Sequence, residues 1–306
     1  MSAATTSAAA AIDRTPTRDR AVARALGRRR RAVDAVVRWL CVAATLVGLF
    51  FLLSLLLTLF WRGLSALDWT VLTKEFQPTT YGDDTAPKGG LSHAIVGTLI
   101  HTSLATLLGT PIGLLVGTYL AEYARGSALG NAVRFVSDVL LSAPSILIGL
   151  FVYQLVVLPM GGFSGWAGVF ALAIIVIPVV VRTTEDMLQL IPNTLREAVI
   201  ALGAPKWKMI VLVCYRAAIS GIATGVLLAV ARIAGETAPL LLTSFGNAVM
   251  SLDLNNAMAS LPIAIYQQAN SGFPDLIAIA WSGALLVTLG VLAINIAARV
   301  LLRKRR

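Results

Sequence analysis

Apolar runs of about twenty residues recur along the chain, separated by polar segments, which is typical of membrane-spanning helices. The first run, from Leu40 to Phe60, contains no charged residue, which excludes a soluble two-domain protein. The runs are continuous and do not alternate with a period of two, which excludes a transmembrane β-barrel. The pattern predicts an all-α integral membrane protein with six spans, at residues 39–60, 91–121, 139–158, 166–181, 218–242 and 276–298.

The 25 Lys and Arg residues are distributed unevenly around these spans. Of them, 21 lie either before the first span or in the segments that follow the second, fourth and sixth spans. The loops on the opposite side contain only Arg62, Lys74 and Lys88. Because basic loops stay in the cytoplasm, we expect both termini to be cytoplasmic. The net charge of +10 therefore belongs to loops beside a lipid bilayer, and no nucleic-acid partner is indicated.

The same pattern divides the chain into four parts. Residues 1–38, rich in Ala, Ser, Thr and Arg, form a basic tail that we expect to be disordered and cytoplasmic. Residues 39–90 contain the first span and an external loop. Residues 91–302 form a core of five spans with a cytoplasmic segment at 182–216, and residues 303–306 form a basic C-terminal tail.

Small residues and prolines mark particular stretches of the core. Gly109, Pro111, Gly113 and Gly117 predict that the second span is kinked and packs closely on a neighbour. Pro144 lies inside the third predicted span. The sequence SLPIAIYQQ, in the external segment 243–274, predicts a short helix at the outer surface.

The cytoplasmic segment has the signals of two helices joined by a turn. Thr194 and Glu197 fit a capping box at the start of a helix over residues 195–202. Gly203 fits the left-handed residue past the end of that helix, and Pro205 fits the first position of the next. By pattern alone, the segment is either an amphipathic helix at the membrane surface or a surface that binds a partner protein.

The fifth predicted span contains two charges, Arg232 and Glu236. A charge at mid-bilayer costs about 2.5–3.5 kcal/mol on insertion scales, so both side chains need a partner or a polar path. At about 100° per residue, Gly221, Gly225 and Ala229 lie with the two charges within an arc of about 80°. Membrane helices pack through small residues, so we expect both charges to point into a bundle or cavity.

Two roles are open for this charged pair. The i, i+4 spacing allows an ion pair with a purely structural role. Alternatively, the planar guanidinium of Arg232 binds a passing oxyanion. Glu236 then limits the affinity of the site or serves as the resting partner of Arg232.

Four acidic residues lie near the ends of the predicted spans. Glu122 and Asp138 are expected to be simple boundary charges. Glu185 and Asp186 are expected to pair with Arg182 or to contact a partner.

The remaining reactive residues do not indicate an enzyme. His93 and His101 are eight residues apart, too far for a shared metal on one helical turn, and no Cys or carboxylate cluster accompanies them. Cys41 and Cys214 imply no disulfide framework. The chain contains no G-x-x-x-x-G-K-[ST] loop. If this protein works with ATP, another chain therefore binds the nucleotide.

The cytoplasmic segment resembles a signature of ABC-importer permeases, Glu-Ala-Ala, three residues and Gly, followed about ten residues later by an apolar pair. Here Glu197, Ala198, Val199 and Gly203 match it, with Val199 in place of the second Ala and Val213 at the apolar pair. The resemblance implies that this helix binds the ATP-binding subunit and transmits its closure to the membrane. The residues implied in this contact are Glu197, Ala198, Leu202, Gly203 and Ala204.

The fifth span resembles a motif of phosphate-specific ABC permeases, Ala231-Arg232, two residues, then GETAP (235–239). Three other stretches resemble the A-type subunit of that system: AIVGT (94–98), YLAEY (119–123) and APSILIGLF (143–151). The likeness extends over residues 91–299 and implies the type I ABC-importer permease fold. It also implies a heterodimer with a C-type permease, a dimer of ATP-binding subunits that holds ATP and Mg, and an external phosphate-binding protein. On this chain it implies no cofactor and a substrate pathway at Arg232, Glu236 and Thr237.

The sequence therefore predicts a permease subunit of an ATP-driven phosphate importer in a bacterial cytoplasmic membrane. Three alternatives stay open at this point. One is an importer of another oxyanion such as sulfate or molybdate, and only the motif resemblance favours phosphate over these. The others are a secondary transporter with Glu236 as its proton relay, and a membrane component that senses phosphate without moving it.

Overall fold

The computed structural model of the chain describes residues 17–77 and 89–303. All regular elements in these ranges are helical, which confirms the all-α prediction. In chain order they are α1 Thr17–Ala66, α2 Trp69–Thr73, α3 Ser92–Glu122, α4 Ala128–Ser142, α5 Ser145–Met160, α6 Gly165–Gln189, α7 Asn193–Ala201, α8 Lys206–Ala234, α9 Ala238–Thr243, α10 Leu261–Ala269 and α11 Pro274–Arg303.

Among the described residues, α1, α3, α6, α8 and α11 are long and apolar enough to cross a membrane. The helices α4 and α5 together form a sixth candidate, but a bend of 105° separates them. The predicted span over residues 139–158 therefore contains a sharp bend next to Pro144 and includes parts of both helices. Ala143 has ψ of 137° and Pro144 precedes the first turn of α5, because a residue before proline is disfavoured in the helical conformation.

The chain divides into two compact units after Thr58. In the first unit, α1 is an uninterrupted helix whose described side chains are exposed. The prediction of disorder over residues 1–38 is wrong from Thr17 onward, since the Ala, Leu and Arg residues there favour a helix. The remaining tail residues, 1–16 and 304–306, lie outside the described part of the chain.

The second unit is built around α6, which is the most buried of the long helices. Helix α3 packs along α6 through glycines spaced one turn apart, as the sequence predicts. A Cβ atom on Gly113 would lie 2.6 Å from the Cβ atom of Val180, and one on Gly109 would lie 2.8 Å from a methyl group of Val176. Only glycine allows the two helices to lie this close together.

The other helices of this unit complete a common core. Helix α8 packs on α6, α3 and α11, α9 packs on α5 and α6, and α10 packs on α11 and α3. The sequence correctly predicts α10, and its buried Leu261 and Ile263 hold it against the bundle. The core therefore fixes the position of residues 235–237, which follow α8 and are not helical.

The fifth span differs from its prediction at both ends. Helix α8 begins at Lys206 and ends at Ala234, whereas the sequence predicts a span over residues 218–242. Pro239 lies in the first turn of the short helix α9, since a proline inside a helix would remove a hydrogen bond and clash with the preceding turn. The residues between the two helices, including Glu236, belong to neither.

Candidate functional site

The start of α7 differs from its prediction. The helix begins at Asn193 after Pro192, and no side chain caps its first turn. The predicted capping box of Thr194 and Glu197 is wrong, because the helix starts two residues before residue 195 and includes Thr194. The N–H of Leu195 donates to the carbonyl of Pro192 at 3.2 Å.

A tight turn joins α7 to α8. Gly203 has φ of 77°, and its N–H donates to the carbonyl of Ile200 at 2.9 Å. This left-handed residue lies just past the helix end, where the sequence predicts it. Pro205 caps α8, one position before its predicted place, and Lys206 is the first helical residue.

One side of α7 and of this turn is open. Glu197, Ala198 and Gly203 are exposed and Ala204 is half-buried. Leu202 is 87% exposed, an unusual degree for a leucine next to a packed core. Exposed apolar side chains grouped with a carboxylate are typical of a surface that binds another protein.

The opposite side of α7 carries Arg196, the one residue of this fully described helix that is buried. Its Nε and Nη2 atoms donate to Oε1 of Glu122, the last residue of α3, at 3.2 and 2.8 Å. Nη2 also donates to the carbonyl of Leu188 at 2.6 Å, and Nη1 donates to the carbonyl of Ile191 and, at 3.2 Å, to Oδ1 of Asn193. All five N–H donors of the guanidinium therefore have an acceptor.

The end of α3 also contacts the start of α8. The Nζ atom of Lys206 donates to the backbone carbonyl of Glu122 and lies 4.2 Å from the ring centroid of Tyr123. The Glu122 side chain is 3% exposed, so the prediction of a simple boundary charge is wrong. Loss of one partner from a buried pair of this kind typically costs about 3–5 kcal/mol, because the other charge is left unpaired.

The remaining boundary acids form separate ion pairs. Arg182 lies 3.5 Å from Asp186 and 3.8 Å from Asp138, with all three side chains about half exposed. This confirms the predicted pairing of Asp186. Glu185 instead pairs with Arg134 of α4 at 2.7 Å, because its position on α6 faces α4.

Arg232 lies in the last turn of α8, and Glu236 follows in the break. The Nε and Oε1 atoms are 3.7 Å apart, and the side chains are 38% and 16% exposed. This separation is longer than a hydrogen bond. In the part of the chain that the structure describes, no residue accepts a hydrogen bond from the guanidinium of Arg232, and the side chain is partly exposed.

The small residues predicted with this pair lie against α6. A Cβ atom on Gly221 would overlap the side chain of Met187, and one on Gly225 would overlap Thr183, while Ala229 is buried. This packing fixes the rotation of α8. Arg232 belongs to the same face by helical periodicity, and its side chain is 38% exposed.

The non-helical residues 235–237, between α8 and α9, are positioned by the contact of α9 with α5. Thr237 is half-buried and precedes α9. A Cβ atom on Gly149 of α5 would lie only 2.6 Å from the Cα atom of Pro239. The close contact between α5 and α9 therefore places Glu236 and Thr237 at a defined point beside the end of α8.

The two histidines take no part in either site. His101 is fully buried, and its Nδ1 atom lies 2.8 Å from the carbonyl of Gly97. His93 lines a cavity of about 250 Å³ together with Gln268 and other residues. Within residues 17–77 and 89–303, no group of three potential metal ligands occurs.

Several known proteins are similar to this chain in sequence. The family described as "binding-protein-dependent transport system inner membrane component" matches residues 109–306. The phosphate transport system permease protein PstA of Pasteurella multocida is 51% identical over 271 residues, which is 89% of this chain and 95% of that protein. The chain belongs to the PstA family. The PstA protein of Haemophilus influenzae is 50% identical over 277 residues, 90% of this chain and 96% of that protein.

Solved structures share the fold of this PstA-family chain. An alginate ABC transporter in complex with a pentasaccharide-bound periplasmic protein aligns with a TM-score of 0.62, 15% identity and coverage of 90% of this chain and 96% of that one. The inward-facing MetNI methionine ABC transporter aligns with a TM-score of 0.59, 21% identity and coverage of 70% and 95%. This chain therefore has the type I ABC-importer permease fold and, as a PstA-family member, is an integral membrane transport component rather than an enzyme.

Sequence reasoning missed the contact between Arg196 and Glu122. The two residues are 74 positions apart. Neither lies in the middle of an apolar run, where a charged residue would indicate a need for a partner. An arginine inside a short amphipathic helix is the one local signal. It does not identify the carboxylate with which it pairs.

Proposed function

We propose that this chain is the membrane subunit of an ATP-driven importer that moves inorganic phosphate across the bacterial cytoplasmic membrane. The observation that carries the proposal is the 51% identity, over 89% of the chain, with a protein described as a phosphate transport system permease. Both sites predicted from the sequence are consistent with this role. One is exposed for a partner protein, and the other presents an arginine with free donors.

The proposed orientation follows from the basic residues. Arg134, Arg196, Lys206 and Lys208 lie at the end of the bundle where α3 and α6 finish. Because basic segments stay in the cytoplasm, this end and both termini face the cytoplasm. The end that contains α2 and α10 then faces the external binding protein, which delivers the substrate.

The open side of α7 is the proposed contact with a dimer of ATP-binding subunits. Its apolar part is provided by Leu202, and Glu197 adds a charge that orients the contact. The subunit dimer binds ATP and Mg, and its closure moves α7. This chain supplies the surface on which that movement acts and binds no cofactor itself.

The proposed phosphate pathway passes Arg232. Its guanidinium has free donors in a planar arrangement that matches two oxygens of a phosphate. Glu236 is near enough to attract the same guanidinium, which weakens phosphate binding and allows release. Because Arg232 is exposed on this chain alone, we propose that a related C-type permease completes its surroundings and that phosphate passes between the two permeases.

The test is uptake of labelled phosphate, sulfate and molybdate at low micromolar concentration, in cells with and without this chain. Loss of phosphate uptake alone supports the proposal. Loss of sulfate or molybdate uptake instead indicates an ATP-driven importer of that oxyanion. Transport that continues without the ATPase and stops with a proton uncoupler indicates a secondary transporter. Unchanged uptake of all three with altered phosphate-dependent gene expression indicates a sensor.

A further inference from the structure

The end of α3 is hydrogen-bonded to both α7 and α8. Glu122 accepts two hydrogen bonds from Arg196 of α7 through its side chain, and one from Lys206 of α8 through its backbone carbonyl. Arg196 also donates to the carbonyl of Leu188 in α6. One carboxylate and one guanidinium thereby connect α3, α6 and α7 directly.

Two side chains of α7 face the bundle. Arg196 is the buried residue of this helix, and the partly buried Val199 packs against the apolar cluster beneath it. That cluster includes Leu188, Met209 and Ile210. The hydrogen bonds of Arg196 therefore position the short helix together with the apolar contact of Val199.

The contact between Arg196 and Glu122 is rigid. The guanidinium is planar and uses all five N–H donors, and the side chains of Arg196 and Glu122 are 9% and 3% exposed. A buried pair with every donor satisfied holds one arrangement, because any displacement leaves a charge unpaired in a medium of low polarity. An exposed pair such as Arg182 and Asp186, at 3.5 Å, permits several arrangements.

We propose that Arg196 and Glu122 are positioning residues that transmit the movement of α7 to α3 and α6. This inference rests on the proposed function, since it assumes that an ATP-binding subunit acts on α7. The pair binds neither phosphate nor nucleotide. Its task is to keep α7 and the end of α3 moving as one body, so that hydrolysis is tied to rearrangement of the α3–α6–α8 bundle.

The experiment uses the complete transporter, purified with its ATP-binding subunits and reconstituted in proteoliposomes with the binding protein. Phosphate uptake and ATP hydrolysis are measured on the same preparation, and the ratio of phosphate moved to ATP hydrolysed is compared. The variants are Glu122→Gln, which removes the negative charge at nearly constant size, and Arg196→Lys, which keeps the positive charge but removes the planar set of donors. The matched controls are Asp186→Asn and Arg182→Lys, which alter the exposed pair on the same side.

We expect Glu122→Gln and Arg196→Lys to hydrolyse ATP but to lower the ratio about tenfold, within the range typical of coupling between sites. The controls are expected to keep the ratio of the unmodified chain. A double variant that exchanges the charges, Glu122→Arg with Arg196→Glu, should recover part of the ratio lost by either single reversal. Recovery is a result that a loss of folding does not give.

Two results would overturn the inference, and they differ from each other. An unchanged ratio in intact complexes of Glu122→Gln and Arg196→Lys removes the positioning role and leaves the proposed function standing. Absence of phosphate uptake by the unmodified complex, with hydrolysis present, removes the proposed function and the positioning role with it.

Discussion

The Nε atom of Arg232 lies 3.7 Å from Oε1 of Glu236, at the point where helix α8 ends. The two charges are close enough to attract each other, but they do not form a hydrogen bond. Arg196, in contrast, uses all its donors on Glu122 and on nearby backbone and amide oxygens. Of these two arginines, Arg232 is the one with donors available for a ligand.

Replacement of Arg232 by alanine is expected to lower the rate of phosphate uptake about tenfold or more, because a hydrogen-bonded charge contact is worth about 1.5–3 kcal/mol. Arg232→Lys should retain part of the rate, since it keeps the charge but loses the planar arrangement of donors. Uptake of labelled phosphate is measured at equal amounts of membrane-inserted protein. The control is Arg182→Ala, at a similarly exposed arginine. An unaltered rate in Arg232→Ala would assign the pair a structural role.

Replacement of Glu236 by glutamine removes the carboxylate that competes for the Arg232 guanidinium. We expect phosphate to bind more tightly and to leave more slowly, so that KM and the maximal uptake rate both fall. Initial rates over a range of phosphate concentrations measure both quantities. If Glu236 is instead a proton relay, Glu236→Gln should abolish uptake at every phosphate concentration, so that no KM can be measured.

Replacement of Gly203 by valine is expected to separate ATP hydrolysis from transport while insertion stays normal. The φ of 77° is strained for a residue with a Cβ atom, by about 1–2 kcal/mol, so the turn between α7 and α8 should shift. No atom lies within 4 Å of a Cβ atom built there, so the effect comes from the backbone and not from a clash. Gly203→Asn is the control, because Asn tolerates the left-handed conformation. Equal coupling in the valine and asparagine variants would contradict the prediction.

Replacement of Leu202 by aspartate should weaken binding of the ATP-binding subunits, because Leu202 is 87% exposed on the proposed contact surface. Loss of a well-packed apolar anchor at an interface typically costs about 2 kcal/mol or more, which corresponds to roughly a thirtyfold weaker complex. Co-purification and quantitative binding in detergent measure the change. Leu252→Asp, at an exposed leucine in the loop between α9 and α10, is the control and should bind normally. Equal binding of both variants would remove Leu202 from the contact.

Replacement of Gly113 by alanine should destabilise the protein by about 1–3 kcal/mol, since the new methyl group overlaps Val180 and forces α3 and α6 apart. Thermal unfolding in detergent is expected to show a lower Tm. Gly290→Ala is the matched control in α11, because nothing lies within 4 Å of a Cβ atom at that position. Its Tm should be unchanged or higher, as alanine favours a helix over glycine.

The differences between expectation and structure have local and long-range causes. Pro144 and Pro239 were visible in the sequence, but how far each would bend or interrupt a span depends on the helices around it. The capping box of Thr194 and Glu197 does not form, because the helix begins at Asn193, directly after Pro192. The predicted face of Gly221, Gly225 and Ala229 lies against α6, since helical periodicity relates neighbouring residues directly.

The sequence by itself determined the helical class, the places of five long spans, the left-handed turn at Gly203 and the close packing of α3, because these follow from apolar length, periodicity and the conformational range of glycine. Only the tertiary structure decided that Glu122 and Arg196 form a buried pair and that Arg232 stays open. These outcomes depend on contacts between residues far apart in the chain. Local patterns do not specify such contacts, because the partner of a charge is chosen by how the helices pack.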